Sequence, residues 1–466
     1  MWVRGAALAA AVVISVAGSP LAAASSATEI FSQPWNRVAA PITSIDAQRL
    51  PAALVGRIPT QAQVARPARV VQVVPRRVTE SPRQTCELPV ADPRLGSPVV
   101  RVVDERTGQT LSEVDAQHPV TTASTAKIVT GAVALRALGS QTRLRTTVTT
   151  DATPGQVVLV GAGDVTLSAQ DSNWYGAPNG IAQLAGQVRD WSARSGIPVT
   201  SVAVDAGLFT GSSWAPSWKS EYFTSGSQSQ ISALTLDGGR AHPEQEYSQR
   251  VGDPAQAAGQ ALAAALGVPT DAVPTVSAAG RPVIAAVESP TIADQVGFML
   301  RHSDNTLADT LGRLAAGAAG KPRDFDSLTA AYGVWLQRLG ATLDGSTFAD
   351  ASGLSHDTKV APELITTLLR LSASDEQASG VWGLLARGDD DTSTLEHRFG
   401  GLSGQQRHDI RAKTGTLEDV TSLAGTVPNA KGHLLVFFIG VEGPTNSAVV
   451  RQGIDAFVAR LAACTN

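Results

Sequence analysis

The sequence predicts an α+β protein: an antiparallel sheet flanked by helices, interrupted by an inserted α+β unit. Strand-like apolar runs stand near both ends of the part that reads as ordered, at 97–117 (SPVVRVVDERTGQTLSEVDAQ) and 432–443 (GHLLVFFIGVEG). Between them lie helical stretches whose apolar residues recur at i, i+3 and i+4. From 149 to 285 the texture changes to short strands with Gly/Asp turns (GQVVLVGAGDVTLS, VTSVAVDAGLF, QISALTLDGG) and two helical segments (IAQLAGQVRDWSARSG, DPAQAAGQALAAALGV). That change marks a separate insert.

The elements follow in order. The run 97–117 reads as a hairpin turning at Asp104–Gly108. Next comes a helix carrying Ser124, with Ile128, Val129, Ala132, Val133, Leu135 and Leu138 as its stripe and Gly139 as its stop. After the insert, Ser289-Pro290 opens a helix faced by Ile292, Val296, Met299 and Leu300. HDIRAKTGTLEDVTSLAGTVP and the run at 432–443 read as antiparallel strands, and SAVVRQGIDAFVARLAA as a last helix.

The chain has 466 residues, 43% hydrophobic and 17% charged, which is a globular composition. Its net charge of −4 gives no electrostatic case for nucleic acid. The N-terminus carries Arg4, an apolar run from Ala6 to Ala17, a Gly-Ser-Pro break and then Ala22–Ala24. This is the order of a secretory signal, expected over 1–24 with cleavage after Ala24; retention as an anchor over 5–24 is the alternative. Residues 25–85 form a Pro/Arg-rich stretch with eight arginines against Glu29, Asp46 and Glu80, expected as a disordered linker. Export favours pairing of the two cysteines, Cys86 with Cys464, over two free thiols. The domain plan is therefore 86–148 with 286–466 as one domain and 149–285 as the insert.

Three short motifs carry the chemistry. Ser124 and Lys127 form S-x-x-K, and i, i+3 on a helix share a face, so hydroxyl and amine meet. A serine hydroxyl needs a base, and lysine serves only where its surroundings disfavour the cation. Taken alone, the pair could equally be a helix cap followed by a surface lysine. Ser303-Asp304-Asn305 and Lys413-Thr414-Gly415 follow in order, the first between two helical stretches and the second at the end of a strand. S-x-x-K, S-D-N and K-T-G in that order are the signature of penicillin-binding proteins and serine β-lactamases.

The chain resembles the D-alanyl-D-alanine carboxypeptidases/endopeptidases of the class C low-molecular-mass penicillin-binding proteins, from about residue 98 to the end. TGAVALRALG, LVGAGDVTL, VAVDAGLFTGSSWAPSW, MLRHSDNTLADTLGR, FADASGLSHDTKVAP and AKTGTLEDVTSLAGTV look like family segments in family order. Thr122, Ala351 and Asp309 depart from the residues usual at their places, and none lies in the three motifs. The resemblance implies a penicillin-recognising, serine transpeptidase-like domain with its insert between S-x-x-K and S-D-N. It also implies roles. Ser124 is the nucleophile and Lys127 its proton acceptor, kept partly neutral by the cation of Lys413. Ser303 relays a proton, and Asn305 holds substrate backbone. Lys413 and Thr414 bind the terminal carboxylate, and Gly415 lets substrate add to the strand edge. The N–H groups of Ser124 and Thr416 form the oxyanion hole. The implied partners are peptidoglycan stem peptides ending in D-Ala-D-Ala and β-lactams, with no cofactor.

Lys127 and Ser303 lie 176 positions apart, a gap that fits a peptidase with inserted domains better than a single-domain β-lactamase. A β-lactamase or esterase on the same fold, or a silent wall-binding protein, remain the alternatives. The seven histidines show no H-x-x-x-H or H-x-H pair, so no metal site is expected. Asp389–Asp391 read as a solvated turn, because calcium-loop spacing is missing. LVGAGDVTL lacks a nucleotide-binding pattern. Trp214, Trp218 and Tyr222 read as core aromatics of the insert more readily than as a stacking platform.

Overall fold

A six-stranded sheet, a four-stranded sheet and a central helical layer organise the described residues, with Val120–Thr121 and Lys359–Val360 forming a small third sheet. The computed structural model describes residues 92–374, 380–443 and 446–465, all within one compact unit spanning Glu80–Asn466. The expected signal, the linker and Cys86 lie outside the described residues. Cys464, which caps the final helix, is not a free thiol.

The main sheet has six antiparallel strands in the order Thr110–Val114, Val99–Asp104, Leu434–Glu442, Val420–Pro428, Arg411–Thr416 and Ala386–Arg387. Side chains alternate across a strand, and here both faces are covered. Phe437 and Ile439 therefore pack with Phe457, Ile454 and Leu461 of the helix Ser447–Ala463, while Val436 and Phe438 face the helical layer. Two covered faces explain why this strand reads as an unbroken apolar run, not as an alternation. Each such Phe, Ile or Leu side chain contributes about 1.5–3 kcal/mol on burial.

The helical layer centres on Lys127–Leu138, whose residues through Leu135 are buried. Around it pack Ile292–His302, Asn305–Ala318, Leu328–Arg338 and Pro362–Ser374. The face Ile292, Val296, Met299 and Leu300 is fully buried, as its spacing predicts. The Ser289-Pro290 pair ends a strand; Thr291 caps the helix with a capping box to Asp294.

A second sheet runs Ser201–Asp205, Gln156–Val160, Arg143–Thr150 and Val283–Thr291, with one parallel pair and two antiparallel ones. The helices Gly180–Ser195 and Pro254–Leu266 pack on it through Leu184, Val188 and Leu262. Two of its strands, paired with each other, extend to Arg143 and Thr291, beyond the 149 and 285 expected from texture. The segment QISALTLDGG is not a strand. It makes a single bridge at Leu234 and then turns through Asp237–Gly239 with φ of 52°, 64° and 77°. Left-handed backbone at three successive residues cannot extend a ladder.

Candidate active site

Ser124 sits in a 3₁₀ turn, Ala123–Ala126, one step ahead of the helix on which the sequence places it. Ala123 has φ of +48°, a left-handed conformation that costs a non-glycine residue about 1–2 kcal/mol. The turn is clamped from outside. Thr122 O accepts from Ser422 Oγ (2.7 Å) and Thr125 Oγ1 (2.8 Å). A Cβ at Gly353 would lie 2.1 Å from Ala123 O, and one at Gly415 2.6 Å from Thr122 O. Both glycines are thus needed for the sheet and the 350–355 loop to close on this turn. For Gly415, that contact adds to its expected part at the strand edge.

Lys127 is fully buried, and its Nζ donates to Ser124 Oγ (3.0 Å), Asn305 Oδ1 (2.6 Å) and Ser352 O (2.8 Å). An ammonium spends all three N–H groups on these acceptors; loss of one proton frees a lone pair for Ser124. Burial pushes the Lys127 amine down to about 8, against the pull of Asp309, Asp350 and Asp304. The Lys413 amine is also buried and pushed well down, first by burial and then by the charge on Lys127. Burial is thus the first cause of the lowering at both amines, and at Lys413 the charge on Lys127 adds to it.

Ser303 and Asn305 come from the elbow between two helices. Ser303 terminates Ile292–His302 in the left-handed region (φ 61°), and Asp304 caps Asn305–Ala318 by accepting from Leu307 N at 2.8 Å. Asn305 reaches Lys127, whereas Ser303 Oγ is not among the three groups bonded to that amine.

The strand Arg411–Thr416 pairs along its whole length with Val420–Pro428, but on its other side only Arg411 and Ala412 are paired. Among the described residues, Lys413–Thr416 therefore presents an open edge beside Ser124, suited to an added extended peptide. Lys413 Nζ donates to Thr414 O (2.9 Å), Thr414 Oγ1 to Thr394 Oγ1 (2.9 Å), and Thr416 is exposed. No group of three or more His, Cys, Asp or Glu able to hold a metal occurs among the described residues.

Comparison with known proteins decides the family. The model of the D-Ala-D-Ala carboxypeptidase 3 (S13) family matches residues 83–278 and 241–464. The chain belongs to that family. It is 35% identical to Carboxypeptidase DacB of Mycolicibacterium smegmatis over 394 residues, covering 80% of this chain and 82% of the relative. It is 36% identical to Carboxypeptidase Rv3627c of Mycobacterium tuberculosis over 388 residues, with the same coverage of 80% and 82%. The crystal structure of penicillin binding protein 4 (dacB) from Haemophilus influenzae shares the fold, with a TM-score of 0.64 at 21% identity over 78% of this chain and 96% of that one. The chain is a D-Ala-D-Ala carboxypeptidase with a penicillin-binding-protein fold.

This S13 carboxypeptidase also uses groups that its three motifs do not contain. Ser352 contributes a backbone carbonyl to Lys127, which no side-chain pattern can disclose. Asp350 knots the loop that carries it: its carboxylate accepts from Gly353 N, Thr358 Oγ1, Ser355 N, Ser352 Oγ and Trp218 Nε1. Asp309 joins the same loop to the helix of Asn305, accepting from Ala351 N and Gln228 Nε2, both at 2.7 Å. Trp218 is buried, and Trp214 and Tyr222 pack half-buried against the core. The D-A-S-G-L-S segment was the only sequence signal for this shell. Asp390 pairs with Arg301 and Asp389 with His408, in keeping with a surface turn.

Proposed function

We propose that this carboxypeptidase works through an acyl-enzyme on Ser124, releasing the terminal D-alanine of peptidoglycan stem peptides. The observation that carries the reading is the Lys127 amine, fully buried and 3.0 Å from Ser124 Oγ. With Lys127 neutral, Ser124 Oγ gives it a proton and attacks the carbonyl carbon of the penultimate D-alanine. The N–H groups of Ser124 and Thr416 receive the oxyanion. Collapse breaks the C–N bond, and the proton returns from Lys127, through Ser303, to the leaving amine. Water then attacks the ester with Lys127 again as base, freeing the shortened peptide and Ser124. Lys413 and Thr414 bind the substrate's carboxylate, whose charge favours the protonated form of Lys413. An extended peptide on the open strand edge also admits D,D-crosslinks, giving endopeptidase cleavage.

β-Lactams enter the same path, since their strained amide presents the same carbonyl, and they remain on Ser124 because deacylation is slow. Residues 1–24 direct export, consistent with Cys464 not being a free thiol; the N-terminal sequence of the mature chain tests this. The deciding experiment is intact-mass spectrometry after benzylpenicillin, on wild type and Ser124→Ala. A lasting adduct on wild type alone supports the reading. No adduct with intact drug overturns it, and no adduct with consumed drug points to a β-lactamase.

A further inference from the structure

The S-D-N elbow presents a problem of support. Ser303 is a non-glycine residue in left-handed backbone, Asp304 is a cap, and Asn305 holds Lys127 at 2.6 Å. None of the three belongs to a regular helix interior or strand, so their own elements do not over-determine them.

The support comes from the second-sheet lobe, in sequence order. Asp304 Oδ2 accepts from Arg240 Nη2 (2.9 Å) and Tyr175 OH (3.0 Å). Asn305 Nδ2 donates to Ser227 O (3.0 Å), and Thr306 Oγ1 to Gln228 Oε1 (2.7 Å). Three consecutive residues are thus each tied to that lobe. The ion pair is the strongest tie, because its side chains are only 2% and 4% exposed and the bond is charge-assisted.

Arg240 itself has no slack. Nη1 donates to Tyr175 OH (2.9 Å) and Asp237 O (3.2 Å), and Nε to Glu246 O (3.1 Å). Its seat is the left-handed turn Asp237–Gly239, where a Cβ on Gly238 would lie 2.4 Å from Arg240 Nη1 and 2.3 Å from Tyr175 OH. Burial raises the Asp304 carboxyl, but the charges of Arg240 and Arg250, with the bonds from Leu307 N and Arg240, outweigh it and hold the group below its usual value.

We propose that Arg240 is a positioning residue for acylation: acting through Asp304, it sets Asn305 and Ser303 against the Lys127–Ser124 pair. The inference rests on the acyl-enzyme reading above. A displacement of about 1 Å at a catalytic group costs on the order of 100-fold in rate, so loss of this strut should slow the reaction without touching a reacting atom.

The test is a time course of benzylpenicillin adduct by intact mass on the full chain, with thermal unfolding measured in parallel. Wild type, Arg240→Lys, Arg240→Met and Arg240→Met/Asp304→Asn are compared. A fraction that does not refold lowers the final adduct and leaves the rate constant alone. Reversible unfolding scales the rate constant only by the folded fraction that the thermal measurement gives; lost positioning lowers the rate constant beyond that and leaves the endpoint. The expected result for Arg240→Met is full labelling at a rate constant about 10–100-fold lower. Arg240→Lys should recover part of that loss, and the double variant should regain thermal stability without regaining rate. Rate constants within about twofold of wild type, with only the endpoint or Tm changed, overturn the proposal. If Arg240→Met does not fold, Arg240→Lys decides, since it keeps the charge but removes the fork of donors that joins Asp304 to Tyr175 and Asp237: a severalfold slower rate constant with full labelling supports the proposal and an unchanged one overturns it. Absence of adduct on wild type with the drug left intact overturns the acyl-enzyme reading and this inference with it, and that control alone identifies the case.

Discussion

Lys127 and Arg240 are both cations withdrawn from water, and their proton affinities shift in opposite directions. Lys127 is bonded to a hydroxyl, an amide oxygen and a carbonyl, with no carboxylate in contact, and burial pushes its amine down to about 8. Arg240 pays the same desolvation, but Tyr175 and the Asp304 carboxylate more than offset it, and its guanidinium is held more firmly charged than usual. A buried cation without a contacting anion gives up its proton more easily; one with a bonded anion holds its charge. The choice of residue agrees. Lysine shifts and exchanges its proton readily, whereas arginine stays charged and offers a rigid fork of donors.

The largest effect should come from Lys127→Met. We expect acylation and D-alanine release to fall about 10²–10⁴-fold, the range of general-base catalysis, with the fold retained by circular dichroism. A variant that unfolds would break the contrast, by making Lys127 as structural as Arg240.

Next is Lys413→Met. Removing a charge-assisted contact to substrate should cost about 10–100-fold in kcat/KM for a peptide ending in carboxylate. The same peptide ending in an amide should be nearly insensitive. Equal losses on both would place Lys413 outside carboxylate binding.

The pH profile sharpens the comparison. Only the neutral amine is a base, and the folded value is lowered, so acylation should rise with pH and level off near about 8. Below that it should fall about tenfold per pH unit, as the competent fraction does. A flat profile from pH 6 to 9 would mean that Lys127 is not the titrating base.

The smallest effect should be Lys219→Ala. Its pair with Glu418 is a contact of 2.9 Å between side chains that are 47% and 83% exposed. Water already solvates both charges, so Tm should not change measurably. A clear shift would show that pairing stabilises here even without burial.

Legibility follows the range of the interactions. The stripe of the nucleophile helix, its stop at Gly139, the last helix at Ser447–Ala463 and the two K-T-G hairpin strands were readable, because period and turn chemistry act within a few residues. QISALTLDGG was misread as a strand because its composition has the right apolar residues, while its backbone is set by distant bonds from Asp237 N to Leu167 O and Gly238 N to Val165 O. Ser124 was placed on the helix instead of its 3₁₀ turn because the strain at Ala123 is imposed by Gly353 and Gly415, more than 200 positions away.

The site divides in the same way. Ser124, Lys127, Ser303, Asn305 and Lys413 are legible because the chemistry demands those side chains at those spacings. Ser352 is not, since it acts through its carbonyl, and neither is Arg240, which has no motif around it. The sequence alone determined which side chains its three motifs supply and which family the chain resembles. Tertiary structure decided the lowered proton affinity of Lys127 and the anchoring of Asn305, because desolvation and ion pairing depend on what is packed nearby and not on what is adjacent in the chain.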